Sequence, residues 1–278
     1  MKKMSIMAFA FLASSIATAS LSPLEQIVEQ RAPEVKQRDA YRNPTATIEF
    51  FKIEPGMSVA EALPGGGWYS QILAPFIGAE GSLHGINYNN DMWARFGFFS
   101  EEAIQQQIES TGQFPEKVAS FSSPAPKSQG FTFDSVPDSL AGSVDRVLFI
   151  RALHNLNRFE SEAGTMTNAL EATHRLLKAD GLVGVVQHRA PEGNSDEWAD
   201  GSNGYLKQST LISIFEKAGF KLVASSQINQ NNKDLPTETD MVWRLPPTYF
   251  GNSESEEQKA AMDAIGESDR MTLLFAKQ

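Results

Sequence analysis

The 278-residue chain contains no cysteine, which excludes a disulfide framework, thiolate metal sites and a cysteine nucleophile. It also lacks the cysteine that acylation at a lipoprotein cleavage site would require. Histidine is scarce: the four residues are His84, His154, His174 and His188, and none stands at His-x-x-x-His spacing, so no metal is expected. Neither a Walker loop nor a Gly-x-Ser-x-Gly elbow occurs. Positive charge is in deficit, with 24 Lys and Arg against 34 Asp and Glu and a net charge of -10. Such a chain repels phosphate backbones and anionic lipid, so nucleic acid is not the expected partner.

Long apolar runs are missing except at the start. Lys2 and Lys3 precede the apolar stretch Met4 to Ala13, and Ala17-Thr18-Ala19 has the small-x-small form of a signal peptidase site. The reading is a signal peptide over 1–19 and a mature chain over 20–278, exported to the periplasm or secreted, with no membrane span. Loss of residues 1–19 removes two lysines and no acid, taking the net charge from -10 to -12. The mature length suits one large domain stabilised by its core.

Along that chain, Leu24, Ile27 and Val28 have helical spacing, and Asn43-Pro44 reads as an N-cap with proline at the first helical position. Ser58 to Leu63 is a short strand running into Pro64-Gly65-Gly66-Gly67, after which Trp68, Ile72, Leu73 and Phe76 return at helical spacing. Ser82 to Asn87 is a second strand, and Asp91 to Glu109 reads as an amphipathic helix. Lys117 to Phe121 reads as a weak third strand, and Ser122 to Ser139, rich in Ser, Pro and Gly, as loop. Val144 to Ile150, Leu182 to Val186, Phe220 to Ala224 and Met271 to Ala276 complete the strands; between them lie a helix with Met166, Leu170, Thr173 and Leu177 on one face, stopped near Gly181, and another over 210–217. This alternation predicts an α/β fold whose parallel sheet is covered on both faces. The long connection 227–270, with Pro246-Pro247 and a helical Ser253 to Ile265, is a candidate lid.

Ligands of such sheets lie beyond the carboxyl ends of the strands, where the winding reverses. That crevice collects Pro64 to Gly67, Asn87 and Gln187 to Arg189. Glycines let the backbone approach a ligand closely while the next helix offers unpaired N–H groups. Glu61, just before the turn, can meet an ammonium. His154, after the fourth strand, and His188, at the end of the fifth, are candidate proton acceptors, and Arg189 can orient an anion.

The run Val59-Ala60-Glu61-Ala62-Leu63-Pro64-Gly65-Gly66-Gly67 resembles the cofactor motif of class I S-adenosylmethionine-dependent methyltransferases. With Trp68-Tyr69, Ala152-Leu153-His154-Asn155, His188-Arg189, Ala218-Gly219-Phe220 and Gly266-Glu267-Ser268-Asp269-Arg270, the chain is similar, from about Arg42 to Lys277, to a bacterial group of secreted predicted methyltransferases. The resemblance implies a Rossmann-like, doubly wound, seven-stranded and mostly parallel sheet with an antiparallel last strand. It implies S-adenosylmethionine as cofactor, held by Glu61, Pro64, Gly65, Gly66, Gly67, Trp68 and Tyr69, with Asn87 at the ribose. It implies methyl transfer to a small molecule that it does not identify. Two positions depart from the family pattern: Leu63 replaces its first glycine, and Asn87 replaces an acid. Phe131 and Phe133 are candidates for stacking on adenine. A nicotinamide-dependent oxidoreductase, on the near-fingerprint Gly65-x-Gly67-x-x-Ser70, and a non-catalytic binding module remain as alternatives.

Overall fold

The computed structural model describes residues 20–278; the leader proposed for 1–19 lies outside the described residues. Eight strands form one sheet: β1 Ser58–Ala62, β2 Ser82–Asn87, β3 Gly130–Thr132, β4 Val144–Ile150, β5 Leu177–Ala190, β6 Leu206–Lys207, β7 Phe220–Ser226 and β8 Arg270–Lys277. The main order is β3-β2-β1-β4-β5-β8-β7, with the two-residue β6 pairing with β5 off that path. All pairs from β3 through β5 are parallel, and β8 runs antiparallel to both β5 and β7. The expected doubly wound sheet and its antiparallel last strand are therefore observed, with one short strand more than expected. The winding reverses between β1 and β4, which places a crevice at the carboxyl ends of those strands.

Alternation along the strands feeds two apolar layers. Ala60, Ile86, Val147, Phe149, Val183 and Val185 face one core, while Val59, Leu83, Leu148 and Val186 face the other. Val186, Val185 and Val183 are at most 1 % exposed, which accounts for the continuous apolar run in β5.

Several local readings change. Asp91 to Glu109 is two helices, Met92–Arg95 and Glu101–Gly112, divided near Gly97 at φ +76°. Lys117 to Phe121 belongs to the helix Phe114–Phe121, because Phe114 and Val118, one turn apart, are both buried on one face. The third strand is Gly130–Thr132, inside the segment read as loop. Asn43 caps no helix with its side chain: it is left-handed at φ 40°, and its Nδ2 donates to the Ile228 carbonyl at 2.7 Å. The helix Thr165–Leu176 passes straight into β5 at Leu177.

Gly130 shows what a three-residue strand needs here. A Cβ at Gly130 would lie 1.7 Å from the Thr111 carbonyl oxygen, so the helical segment over β2 and β3 packs on bare backbone. Gly130→Ala is expected to cost about 3 kcal/mol or more through backbone displacement, measured as a lowered urea midpoint.

Candidate functional site

The glycine turn is built from strained and open positions in alternation. Leu63 is held at φ +53° in the left-handed region, which costs an ordinary side chain about 1–2 kcal/mol and which the family's usual glycine adopts freely. Gly65 follows at φ +54°, and a Cβ there would meet nothing nearer than 4.0 Å; one at Gly66 would meet nothing within 4 Å. The Gly67 amide donates to the Pro64 carbonyl at 2.8 Å. The amides of Gly65 and Gly66 have no acceptor among the described residues. Lys117 reaches over from the helix Phe114–Phe121 and donates to the Gly65 carbonyl at 2.7 Å, leaving those amides free.

These amides border a 520 Å³ cavity walled by Leu63, Pro64, Gly65, Gly66, Asn87, Tyr88 and Trp93 on the sheet side and by Gln107, Thr111 and Phe114 opposite. A volume of this size suits a nucleoside-sized ligand. The opposite wall, contributed by 101–121, roofs the cavity. The connection 227–270 walls different pockets further along the crevice.

Glu61 lies behind the turn, 4 % exposed, and accepts a 2.5 Å hydrogen bond from the Ser70 hydroxyl. Burial raises its carboxyl from 4.5 to about 7, against the opposing pull of Ser70 and Lys117. A cation arriving nearby stabilises the ionised form, so this carboxylate becomes a stronger partner for an ammonium as pH rises through neutrality.

Not every expected site residue reaches the cavity. Gly67 is a packing glycine: at φ +79°, its Cβ would lie 2.9 Å from the Phe121 ring. Trp68 turns away from the cavity. Its indole N–H donates to the Val35 carbonyl at 3.2 Å, and its ring lies against the guanidiniums of Arg31 and Arg42 at 4.8 and 4.5 Å. Tyr69 is buried beside it, donating to the Arg42 carbonyl at 3.3 Å. The two aromatics therefore fasten the N-terminal helices to the domain. Asn87 does line the cavity, but its Nδ2 donates to Thr111 Oγ1 at 2.9 Å and its Oδ1 accepts the Tyr88 amide at 2.9 Å. Only the second lone pair of Oδ1 remains for a ribose hydroxyl. Phe131 and Phe133 are core residues, the latter stacked on Phe149. Tyr88 and Trp93, edge to face at 5.1 Å, bring the aromatic surface to the cavity instead. Their signal was their position directly after the second strand.

His154 and His188 do meet, with ring centroids 5.5 Å apart. His154 is 5 % exposed and sits under Trp243, with Nδ1 3.5 Å from Gln187. Burial lowers its imidazole to about 4, and it borders none of the described cavities near the crevice. It is a packed ring, and not the accessible proton acceptor expected. His188 borders a second cavity, with Nδ1 2.5 Å from Ser268 Oγ, and burial followed by the nearby His154 and arginines holds it well below its usual range. Arg189 is committed to Asp269 through two bonds of 2.8 and 2.9 Å. Among the described residues no group of three or more His, Asp or Glu is placed to hold a metal ion, and no helix is long and apolar enough to cross a membrane.

The sheet order, the glycine turn and the cavity at the switch point together define the doubly wound fold of the class I methyltransferases. No protein-family profile matches the sequence, and no curated protein matches it. Solved structures do share the fold. The 4+2 cyclase SpnF superposes with a TM-score of 0.55 at 14% identity, over 87% of this chain and 82% of its own. A geranyl diphosphate C-methyltransferase from Streptomyces coelicolor, solved with Mg2+, geranyl diphosphate and S-adenosyl-L-homocysteine, has a TM-score of 0.50 at 11% identity, over 90% of this chain and 85% of its own. At these identities the likeness is one of fold.

Proposed function

We propose that this protein is an S-adenosylmethionine-dependent methyltransferase of the secreted bacterial group it resembles, acting on a small-molecule acceptor in the cell envelope. The observation that carries the reading is the pair of unpaired amides at Gly65 and Gly66 beside a 520 Å³ cavity; the Glu61 carboxylate is buried behind the turn and does not line it. Those residues fit the amino-acid tail of the cofactor: amides for its carboxylate, and Glu61, directly or through water, for its ammonium. Tyr88 and Trp93 offer π-surface to its base. Ser70, in the slot of the dinucleotide fingerprint's third glycine, is tied to Glu61, which favours this reading over a nicotinamide one. When bound, the cofactor supplies a methyl group activated by the positive charge of its sulfonium.

The chain's own part is alignment. The 101–121 segment and Trp93 wall one side of the cavity. His188 borders the smaller cavity further along the crevice and not the cofactor cavity, with Ser268 and His154 beside its ring. The buried state of His154 favours a second reading, a binding module without turnover. Export of residues 20–278 rests on the leader pattern in 1–19.

Calorimetry with S-adenosylmethionine and its demethylated product tests the reading. Binding is expected, weaker by about tenfold at about pH 6 than at about pH 8, because protonation of Glu61 removes the ammonium's partner. No heat at millimolar ligand overturns it. Binding without methyl transfer to any envelope extract favours the module.

A further inference from the structure

The crevice continues past the cofactor cavity to a place the proposed cofactor does not use. Beyond the ends of β4 and β5 lies a small cavity of 160 Å³ bordered by Arg38, Arg151, His188, Trp243, Glu267 and Ser268. Arg38 and Arg151 border it, and Arg42 and Arg270 stand behind them on the Glu267 carboxylate. Arg38 donates to Glu267 at 2.6 Å, Arg270 lies 3.2 Å from it and Arg42 3.5 Å from it. Arg151 makes no side-chain hydrogen bond and no ion pair among the described residues, and it stands at φ +57° directly after β4. Asp269, the next acid in the chain, is taken by Arg189. The cluster therefore holds four positive charges against one negative.

Buried charge of one sign is unfavourable unless it is paired. The donors on these side chains are incompletely used: Nη2 of Arg38, Nη2 of Arg42 and Nε of Arg151 are buried without a hydrogen-bond partner, and Nε of Arg42 has only the 3.5 Å ion pair. Arg42 is 1 % exposed and Arg270 3 %, so bulk water cannot screen them. Burial first, and then the neighbouring arginines, lower the Arg42 guanidinium to about 9 and that of Arg151 to about 10. A water molecule in the cavity would satisfy donors and leave the charge. An oxyanion satisfies both, and guanidinium forks match its geometry.

Between this cavity and that of the proposed cofactor lies a 680 Å³ pocket that shares Tyr88 and Trp93 with the one and Trp243 and Thr248 with the other. Phe96, Phe99 and the exposed Phe98 and Phe250 make it predominantly apolar. We propose that the arginine cavity is an oxyanion site, and that it takes the phosphate or carboxylate group of an amphiphilic ligand whose apolar body lies in the adjoining aromatic pocket. Its identity as the methyl acceptor rests on the proposed function; the binding itself does not.

Equilibrium titration of residues 20–278 with octyl phosphate, octanoate, inorganic phosphate and octanol tests this. Octyl phosphate or octanoate is expected to bind roughly tenfold or more tighter than octanol and than inorganic phosphate, since each probe lacking one half loses one of the two contacts. Which of the two acids binds better identifies the headgroup. Arg151→Met is expected to weaken the acid by about tenfold or more and to leave octanol unchanged. Arg38→Gln, at a side chain 28% exposed, gives the same direction in a position that tolerates substitution if the Arg151 variant does not fold. Acids binding no tighter than octanol, or equally well to the folded variants, overturn the proposal. Acid binding in a protein that ignores S-adenosylmethionine sustains this site and removes the methyl-transfer reading.

Discussion

Gly66→Asp is expected to weaken S-adenosylmethionine binding by about a hundredfold or more, because it sets a carboxylate beside the amides proposed for the cofactor's own carboxylate. The same change should leave the fold intact. Gly66 has no left-handed requirement, and a Cβ there meets nothing within 4 Å, so the melting temperature should move by no more than about 2 °C. The neighbouring glycine separates binding from packing. Gly67→Ala drives a Cβ to 2.9 Å from Phe121 at a φ of +79° and is expected to destabilise the domain. Calorimetry and thermal denaturation on the two variants measure both effects. Retained ligand binding in Gly66→Asp would show that the turn is not where the cofactor sits.

Glu61→Gln should move stability and binding in opposite directions. The folded carboxyl titrates near 7 and the free one near 4.5, so the folded chain holds a proton that the unfolded chain releases between those values. The burial cost of Glu61 is therefore absent below about pH 4.5, and stability falls as pH climbs through 7. At about 1.4 kcal/mol per tenfold, the full cost above neutrality is about 3 kcal/mol. Glutamine removes it, so urea unfolding should show a stabilisation approaching about 3 kcal/mol at about pH 8 and shrinking to about 1 kcal/mol at about pH 5. Binding of an adenosyl ligand should drop and lose its pH dependence. A variant no more stable than the parent at high pH would mean that Glu61 is ionised and paired in the free protein. The expected combination is the familiar exchange of stability for a site residue.

The local signals translated well where an element is long and periodic. β4, β8 and the helix Gln208–Lys217 lie where their patterns place them, while β5 begins at Leu177, where the pattern continues the preceding helix to about Gly181. Signals failed where a few residues are held by distant ones. Gly130–Thr132 is too short to show alternation, and it is a strand because β2 pairs with it. Trp68 and Tyr69 follow the glycines in sequence, but the turn leading into the helix Ser70–Ile77 directs them away from the cavity, onto Arg31 and Arg42. His154 stands at the expected rim and is nonetheless buried, because Trp243 packs on its ring and Gly201 against its backbone.

The sequence by itself determined the alternation of long strands and helices, the bare turn after the first strand and the acidic residue before it, since each depends on a contiguous run. Only the tertiary structure decided which amides stay free, which aromatics face the cavity, and that Arg38, Arg42 and Arg270 converge on Glu267 with Arg151 bordering the same cavity. Those arginines come from three separate stretches of chain. In a protein with excess negative charge, no local pattern announces a buried positive cluster; it exists because the N-terminal helices, the end of β4 and the start of β8 are brought together at one rim of the sheet.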